Sequence, residues 1–246
     1  MKSSEYQNLE HVERSHWYYA GKREIVKFWI QQCKPLNATC TLLDFGAGTG
    51  LFASEFLSTC QVRVYDSYPE SQAILRRRFP AECVLDTTAP GIPLPNDSVD
   101  CVTGLDVLEH LKDDTGAVNE LHRVLRRTGL AVITVPADMK LWSDWDATLL
   151  HHRRYDLRQL SELFEPVKWE IIRVTYTNIF VYPAVYLLRQ LRRLRGTPAE
   201  QGNRAEDRVP GPWLNRLLQS LYTAPAKAKW LSAPFGVSLL IVARKR

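Results

Sequence analysis

The chain has 246 residues, of which 45% are hydrophobic and 24% charged, and this excludes disordered, collagen-like and coiled-coil proteins. The net charge of +5 is unevenly distributed. Residues 178–246 carry 12 basic and 3 acidic side chains, whereas residues 1–177 have a net charge of −4. The asymmetry predicts a neutral to acidic body with a basic attachment.

From residue 41 onward, apolar segments of strand length alternate with amphipathic helical segments. The predicted strands are 41–45, 61–66, 83–86, 99–104, 130–135, 169–176 and 236–243. The predicted helices are 23–32, 51–58, 73–78, 115–127 and 156–164. Strands and helices that alternate in this way predict βαβ units and an α/β fold with a doubly wound, largely parallel sheet.

This pattern divides the chain into four regions. They are an N-terminal helical region, an α/β core, a basic helical insertion and a terminal core strand, at residues 1–40, 41–177, 178–235 and 236–246. Within the insertion, residues 196–212 are polar and rich in Gly and Pro, which is typical of a linker.

The sequence favours a cytoplasmic protein. No apolar run reaches the ~18 residues that a membrane-spanning helix needs, and the N-terminus lacks the apolar core of a signal peptide. The five cysteines include no CxxC pair, which disfavours a disulfide framework or a structural zinc site.

A glycine-rich segment, Asp44-Phe45-Gly46-Ala47-Gly48-Thr49-Gly50, lies between the first predicted strand and the next helix. Asp66 ends the second strand, twenty residues after Gly46, where a carboxylate can accept hydrogen bonds from ribose hydroxyls. The pair indicates a nucleoside-containing cofactor, and the alternative is a ligand-free turn. The GxGxG spacing departs from the dinucleotide fingerprint, and Asp44 suits an ammonium group better than a pyrophosphate.

These motifs, with Asp86 after the third strand and Leu105-Asp106-Val107-Leu108-Glu109-His110-Leu111 after the fourth, resemble class I S-adenosylmethionine (SAM)-dependent methyltransferases. The similarity is closest to bacterial small-molecule and quinone-biosynthesis enzymes and covers residues 41–136. It implies SAM as the cofactor and a Rossmann-like, seven-stranded sheet of order 3-2-1-4-5-7-6. It also implies an antiparallel last strand, an N-terminal helical lid and a helical insertion before that strand.

The resemblance also assigns cofactor contacts. The glycine segment would hold the methionine part of SAM, Asp66 would bind the ribose, and Tyr19 would belong to the lid. The complete set of predicted cofactor-binding residues is Tyr19, Asp44, Gly46, Ala47, Gly48, Gly50, Asp66, Ser67, Asp86, Thr87, Leu105 and Asp106.

The segment Asp106-x-x-Glu109-His110 leaves three interpretations open. Some quinone-pathway O-methyltransferases have a Glu-x-x-Glu-His segment here that can bind a divalent metal. In this chain the first acid is the shorter Asp106, and we assign no metal ligand. The other interpretations are contact of Asp106 or Leu105 with SAM and a structural role.

A second cluster of chemically active side chains follows the fifth predicted strand, at residues 142–155. Ligands bind at this edge of open α/β sheets, and His and Arg side chains can supply a general base and anion-binding donors. We predict catalytic roles here, with a histidine as the base, for His151, His152, Arg154 and Tyr155. The alternative is a salt-bridged loop that packs on the N-terminal aromatic residues.

The basic insertion combines apolar residues at helical spacing with arginines at residues 179–195 and 213–230. This pattern is typical of a helix lying on a membrane surface and equally of a substrate cap with a solvated basic face. Nucleic-acid binding is disfavoured because no RNA-binding module is evident and the body is acidic.

The hypothesis is therefore a SAM-dependent methyltransferase acting on a small-molecule or lipid-linked acceptor, at oxygen. The alternatives are a nucleic-acid methyltransferase that uses the basic C-terminal region and a non-catalytic SAM-binding protein. The residues at the fourth strand lack the Asn/Asp-Pro-Pro-Tyr/Phe motif of many base-modifying enzymes.

Overall fold

The structure, a computed structural model, describes residues 3–88, 90–195 and 208–246. Its helices are α1 Ser3–Val12, α2 Trp17–Cys33, α3 Leu51–Ser54, α4 Pro69–Arg78, α5 Asp114–Val124, α6 Asp144–Thr148, α7 Leu157–Glu162, α8 Tyr182–Arg195 and α9 Pro212–Lys227. Its strands are β1 Thr41–Phe45, β2 Gln61–Tyr65, β3 Val99–Leu105, β4 Leu125–Pro136, β5 Trp169–Thr177 and β6 Ser238–Lys245. Most of the predicted linker, residues 196–207, lies outside the described residues.

The strands form one sheet of order β2-β1-β3-β4-β6-β5. β1 pairs in parallel with β2 and β3, and β3 pairs in parallel with β4. β6 is antiparallel to both of its neighbours. The predicted α/β fold and antiparallel last strand are therefore confirmed.

The prediction of a strand at residues 83–86, the third of the seven predicted strands, is wrong. In the described part of the chain the sheet has six strands, and this segment contributes a single bridge between Val84 and Val64. A 3-10 turn at Ala81–Cys83 precedes it. The Asp86 carboxylate then accepts hydrogen bonds from the backbone N–H and hydroxyl of Thr88, which turns the chain away. Too few extended residues remain between these turns to form a ladder.

Helices cover both faces of the sheet, which explains why the central strands are apolar throughout rather than alternating. On one face, Leu43 and Ile133 pack with Leu121 of α5 and Leu160 of α7. On the other face, apolar residues of β1, β3 and β4 pack with α2 and α9.

The N-terminal helix α2 and the insertion helix α9 form one packed unit. The indole N–H of Trp29 donates to the backbone oxygen of Ala226, at 3.1 Å. Tyr18 stacks on Tyr222 with ring centroids 5.7 Å apart. The N-terminal aromatic residues thus pack on α9. In the described part of the chain, no helix is long and apolar enough to cross a membrane.

Candidate functional site

A cavity of about 950 Å³ lies at the carboxyl ends of β1, β2, β3 and β4. The strand order changes direction there, since β2 and β3 flank β1 on opposite sides, and ligands of open α/β sheets bind at such points. The glycine segment lines one part of the cavity, and α8 with residues 145–151 lines another.

The three positions of the loop require glycine for different structural reasons. Gly46, Gly48 and Gly50 have φ angles of 70°, 57° and 75°, a left-handed conformation that other residues adopt at a cost. A Cβ atom on Gly46 would lie 2.3 Å from Val107, and one on Gly50 would lie 2.4 Å from Phe79. A Cβ on Gly48 would meet no atom of the described residues within 4 Å, so this backbone borders space that a ligand can fill.

Asp66 follows β2 and is buried beside this loop. Its carboxylate accepts hydrogen bonds from the backbone N–H groups of Gly48, at 2.8 Å, and Tyr68, at 2.9 Å. Burial raises the pKa of Asp66, and these two donors oppose that rise. They hold the carboxylate at the cavity wall, where its remaining lone pairs can accept hydroxyl hydrogen bonds.

Asp44 is the penultimate residue of β1, lines the cavity and is also buried. Burial raises its pKa to about 7, and the hydrogen bond from the Thr103 hydroxyl, at 2.7 Å, opposes the rise. A cationic ligand group beside Asp44 would favour the ionised form.

Asp106, at the end of β3, is paired with a residue that sequence reasoning did not assign to the site. Its carboxylate forms an ion pair with Lys22 of α2 and accepts a hydrogen bond from Thr134, at 2.9 Å. Burial opposes ionisation, but Lys22 holds the pKa of Asp106 below its usual value. The sequence feature that could have indicated this pairing is Lys22 itself, a charged residue four positions after Tyr18 on an otherwise apolar helix face.

The N-terminal region contacts the glycine loop directly. The carboxylate of Glu13, which follows α1, accepts hydrogen bonds from the Thr49 hydroxyl at 2.6 and 2.8 Å. Tyr6, Leu9 and Tyr19 from the same region line the cavity.

The other predicted cofactor residues divide into two groups. Ala47, Ser67 and Leu105 line the cavity. Gly50, Asp86 and Thr87 are not among the lining residues, and the Asp86 carboxylate turns back onto Thr88.

Glu109, His110 and His151 line the cavity on the side of α8. Glu109 is completely buried, and its Oε1 lies 4.0 Å from Nε2 of His151. The ring centroids of His110 and His151 are 4.6 Å apart. Burial raises the pKa of Glu109 well above its usual value and lowers that of His110 to about 4.

Asp146 holds His151, Arg154 and Arg189 in place around this part of the cavity. It is buried, accepts a hydrogen bond from Arg154 at 2.8 Å, and lies 3.0 Å from Nδ1 of His151. Arg189 of α8 lies 3.6 Å from its second oxygen. Burial alone would raise the pKa of Asp146, but these cationic partners and hydrogen bonds hold it well below its usual value.

The four predicted catalytic residues occupy different places. His151 lines the cavity, whereas the His152 side chain is exposed. Arg154 is buried between Asp146 and the backbone oxygen of Ala137. The hydroxyl of Tyr155 donates to Asp114 at 2.8 Å. The segment therefore combines a salt-bridged support with one side chain, His151, that faces the cavity.

The remaining wall is apolar. Val181, Ala184, Val185 and Leu188 line the cavity from the start of α8 and the residue before it, and Arg189 follows at its margin. The cavity thus joins a polar loop suited to a nucleoside cofactor to an apolar region suited to a second ligand.

A doubly wound sheet with a glycine loop after β1 and a carboxylate after β2 defines a Rossmann-like protein that binds a nucleoside cofactor. A family model described as "Methyltransferase domain" matches residues 43–133. The uncharacterized methyltransferase Rv3342 of Mycobacterium tuberculosis is 30% identical over 199 residues, covering 79% of each chain. This chain belongs to the class I SAM-dependent methyltransferase superfamily.

Two further comparisons agree. A probable SAM-dependent methyltransferase of Mycolicibacterium smegmatis is 28% identical over 163 residues, which span 65% of this chain and 62% of that protein. The structure of a SAM-dependent methyltransferase from Thermotoga maritima superposes with a TM-score of 0.59 at 18% identity, over 99% of this chain and 95% of that one. The latter similarity concerns the fold alone.

Proposed function

We propose that this protein transfers a methyl group from SAM to a hydroxyl oxygen of an apolar small-molecule or lipid-linked acceptor. The observation that carries the proposal is the continuity of one cavity from the glycine loop to the apolar wall of α8. A single cavity of this kind can hold cofactor and acceptor with their reacting atoms in contact.

The cofactor half follows from the chain's own groups. Asp66 accepts hydrogen bonds from the ribose hydroxyls, Asp44 faces the ammonium group of the methionine part, and the Gly48 backbone leaves room for the ligand. We assign the lid to α1 and α2, because Glu13 holds the glycine loop from that region. The described parts of residues 178–235, which are 178–195 and 208–235, form the acceptor cap in this proposal.

When bound, SAM supplies a methyl group on a cationic sulfur, so that transfer forms an O–C bond, breaks the S–C bond and leaves the electron pair on sulfur. The protein aligns the acceptor and excludes water. The acceptor hydroxyl gives up its proton at His151, which Asp146 orients toward the cavity. Arg154 supports Asp146 rather than contacting the acceptor.

The outer face of α8 supports a lipid-linked acceptor. Leu187 and Leu194 have exposed fractions of 60% and 84%, and Phe180 before the helix is 58% exposed. Arg192 and Arg193 lie on the same helix. Exposed apolar side chains beside arginines suit the surface of an anionic membrane, which would bring the acceptor to the cavity. Trp213 and Trp230, in the second predicted membrane segment, are 75% and 85% exposed.

The test is transfer of radiolabelled methyl from SAM to fractionated cell extracts. We expect label in the organic, lipid-containing fraction with the wild-type protein and much less with Asp66→Ala at subsaturating SAM. Label confined to nucleic acid would support the alternative substrate class. SAM binding without transfer to any fraction would indicate a non-catalytic protein.

A further inference from the structure

The acceptor side of the cavity contains buried polar atoms that the protein leaves unsatisfied. Both carboxylate oxygens of Glu109 and Nδ1 of His110 are buried without a hydrogen-bond partner among the described residues. Leaving such atoms unpaired costs free energy, and more so for a charged group. Unsatisfied groups that share one wall of a cavity indicate a missing ligand.

Three potential metal ligands converge at this place. One donor atom each from Glu109, His110 and His151 lies within 4.8 Å of the others. Donor atoms around a tetrahedral cation are about 3.4 Å apart at ordinary zinc–ligand distances. A closure of about 1.4 Å, within the reach of side-chain rotation, would therefore bring all three onto one ion.

The orientation of His151 matches that of a metal-binding histidine. Its Nδ1 lies 3.0 Å from Asp146, and its other nitrogen, Nε2, lies on the side of Glu109. Metal-bound histidines commonly donate their second ring N–H to a carboxylate, which fixes the tautomer and the ring. Asp146 is itself held by Arg154, so its position is determined before any ion binds.

Asp106 does not belong to this set, because its carboxylate is paired with Lys22. The third ligand comes instead from His151, in a loop after β4. The sequence alone led us to assign no metal ligand, because Asp106 is shorter than the Glu of the similar metal-binding segment. The convergence of the His151 loop with Glu109 is a tertiary contact.

We propose that Glu109, His110 and His151 bind one divalent first-row transition-metal ion. Two imidazoles and one carboxylate favour Zn²⁺, Co²⁺ or Mn²⁺ over Mg²⁺, which prefers oxygen ligands. Three protein ligands leave coordination positions open toward the cavity.

The role of the ion in the reaction rests on the proposed function, whereas its binding does not. With the ion bound, Nε2 of His151 is a ligand, and an acceptor hydroxyl on an open position loses its proton to water because the cation lowers its pKa. Without the ion, the imidazole is the base. The site therefore specifies an acceptor that can coordinate a metal through its hydroxyl.

The experiment is a titration of the chelator-treated, full-length protein with Co²⁺, followed by visible absorption and by calorimetry. We expect one Co²⁺ per chain with visible d–d bands. Glu109→Gln and His151→Gln should each weaken binding at least about tenfold, as should Asp146→Asn through the orientation of His151. His152→Gln, which removes an exposed neighbouring imidazole, should change the affinity by less than about twofold.

Absence of stoichiometric Co²⁺ binding, or equal binding by wild type, Glu109→Gln and His151→Gln, would overturn the proposal. Circular dichroism and SAM calorimetry on each variant verify the fold, and His110→Gln replaces any variant that fails to fold. Co²⁺ binding without methyl transfer to any component of the organic fraction would support the metal site and refute the proposed function. Full methyl transfer by a protein that binds no Co²⁺ would support the proposed function and refute the metal site.

Discussion

Lys22 of α2 forms an ion pair with Asp106 at the end of β3, which ties the N-terminal region to the wall of the cavity. The Lys22 side chain is 5% exposed and that of Asp106 is 27% exposed. Burial alone would lower the pKa of Lys22, but Asp106 holds it well above its usual value. The pair is therefore ionised, and each charge depends on the other.

Removal of one partner should cost more than removal of both. We expect Lys22→Met to lower the free energy of unfolding by about 3 kcal/mol. This value is the lower end of the range for breaking a buried ion pair, because Asp106 is partly open to the cavity. Lys22→Met with Asp106→Asn should recover at least about half of that loss. Urea denaturation of the wild type, Lys22→Met, Asp106→Asn and the double variant gives the coupling energy, and additive effects would contradict an ion pair.

Asp66 and Asp86 allow a matched test of the cofactor site. Asp66→Ala should weaken SAM binding by about 1–3 kcal/mol, since it removes an acceptor of charged hydrogen bonds. Asp86→Ala should leave the affinity within about 0.5 kcal/mol, because Asp86 is exposed and lies outside the cavity lining. Calorimetry with SAM measures both, and the reverse order would mean that the cofactor lies elsewhere.

Substitutions at Gly48 and Gly50 distinguish effects on ligand binding from effects on folding. Gly48→Ala should cost about 1 kcal/mol of stability for its φ of 57°, while the new methyl group fills cofactor space and weakens SAM binding. Gly50→Ala should destabilise the fold further, because its Cβ would lie 2.4 Å from Phe79 and 2.7 Å from Leu75. Thermal melting and SAM calorimetry on both variants test this distinction.

The pKa of Asp44 makes stability depend on pH. Its folded-state value of about 7 lies above the ordinary 3.8, so the unfolded chain loses this proton at lower pH than the folded one. The contribution of Asp44 to the free energy of unfolding therefore falls as pH rises from 3.8 to about 7, and then remains constant. Between pH 5 and 8 the wild type should lose on the order of 2 kcal/mol relative to Asp44→Asn in urea titrations.

The same group makes SAM binding depend on pH. An ammonium group beside Asp44 favours the carboxylate, so affinity should fall below pH 7 by up to about tenfold per unit. Asp44→Asn should show no such fall. Parallel pH profiles for the two proteins would exclude Asp44 from contact with the cofactor.

The outer face of α8 can be tested with vesicles. The wild type should co-sediment with vesicles that contain phosphatidylglycerol, and less so at high salt, because the arginines act through a screened charge interaction. Leu187→Glu with Leu191→Glu should abolish binding. The control Val167→Glu replaces a residue that is 83% exposed after α7 and should bind as the wild type does. Unchanged binding by the α8 variant would refute the membrane contact.

Local patterns in the sequence determined the six strands of the sheet and the glycine turn, because apolar runs and glycines act within a few residues. They failed at residues 83–86, where a 3-10 turn and the Asp86–Thr88 hydrogen bonds outweighed strand propensity. Strand ends also placed Asp44, Asp66 and Asp106 at one edge of the sheet, since the carboxyl ends of parallel strands meet there.

Only the tertiary structure decided which of these groups are paired and which are open to a ligand. Lys22 and Asp106 are 84 residues apart in the sequence, and His151 lies 4.0 Å from Glu109 in one wall of the cavity. No local period specifies such contacts, because they depend on how helices and loops from the whole chain pack on the sheet. The sequence by itself thus determined the class of cofactor and the sheet edge at which the cavity lies. Packing decided that His151, of the four predicted catalytic residues, faces the cavity.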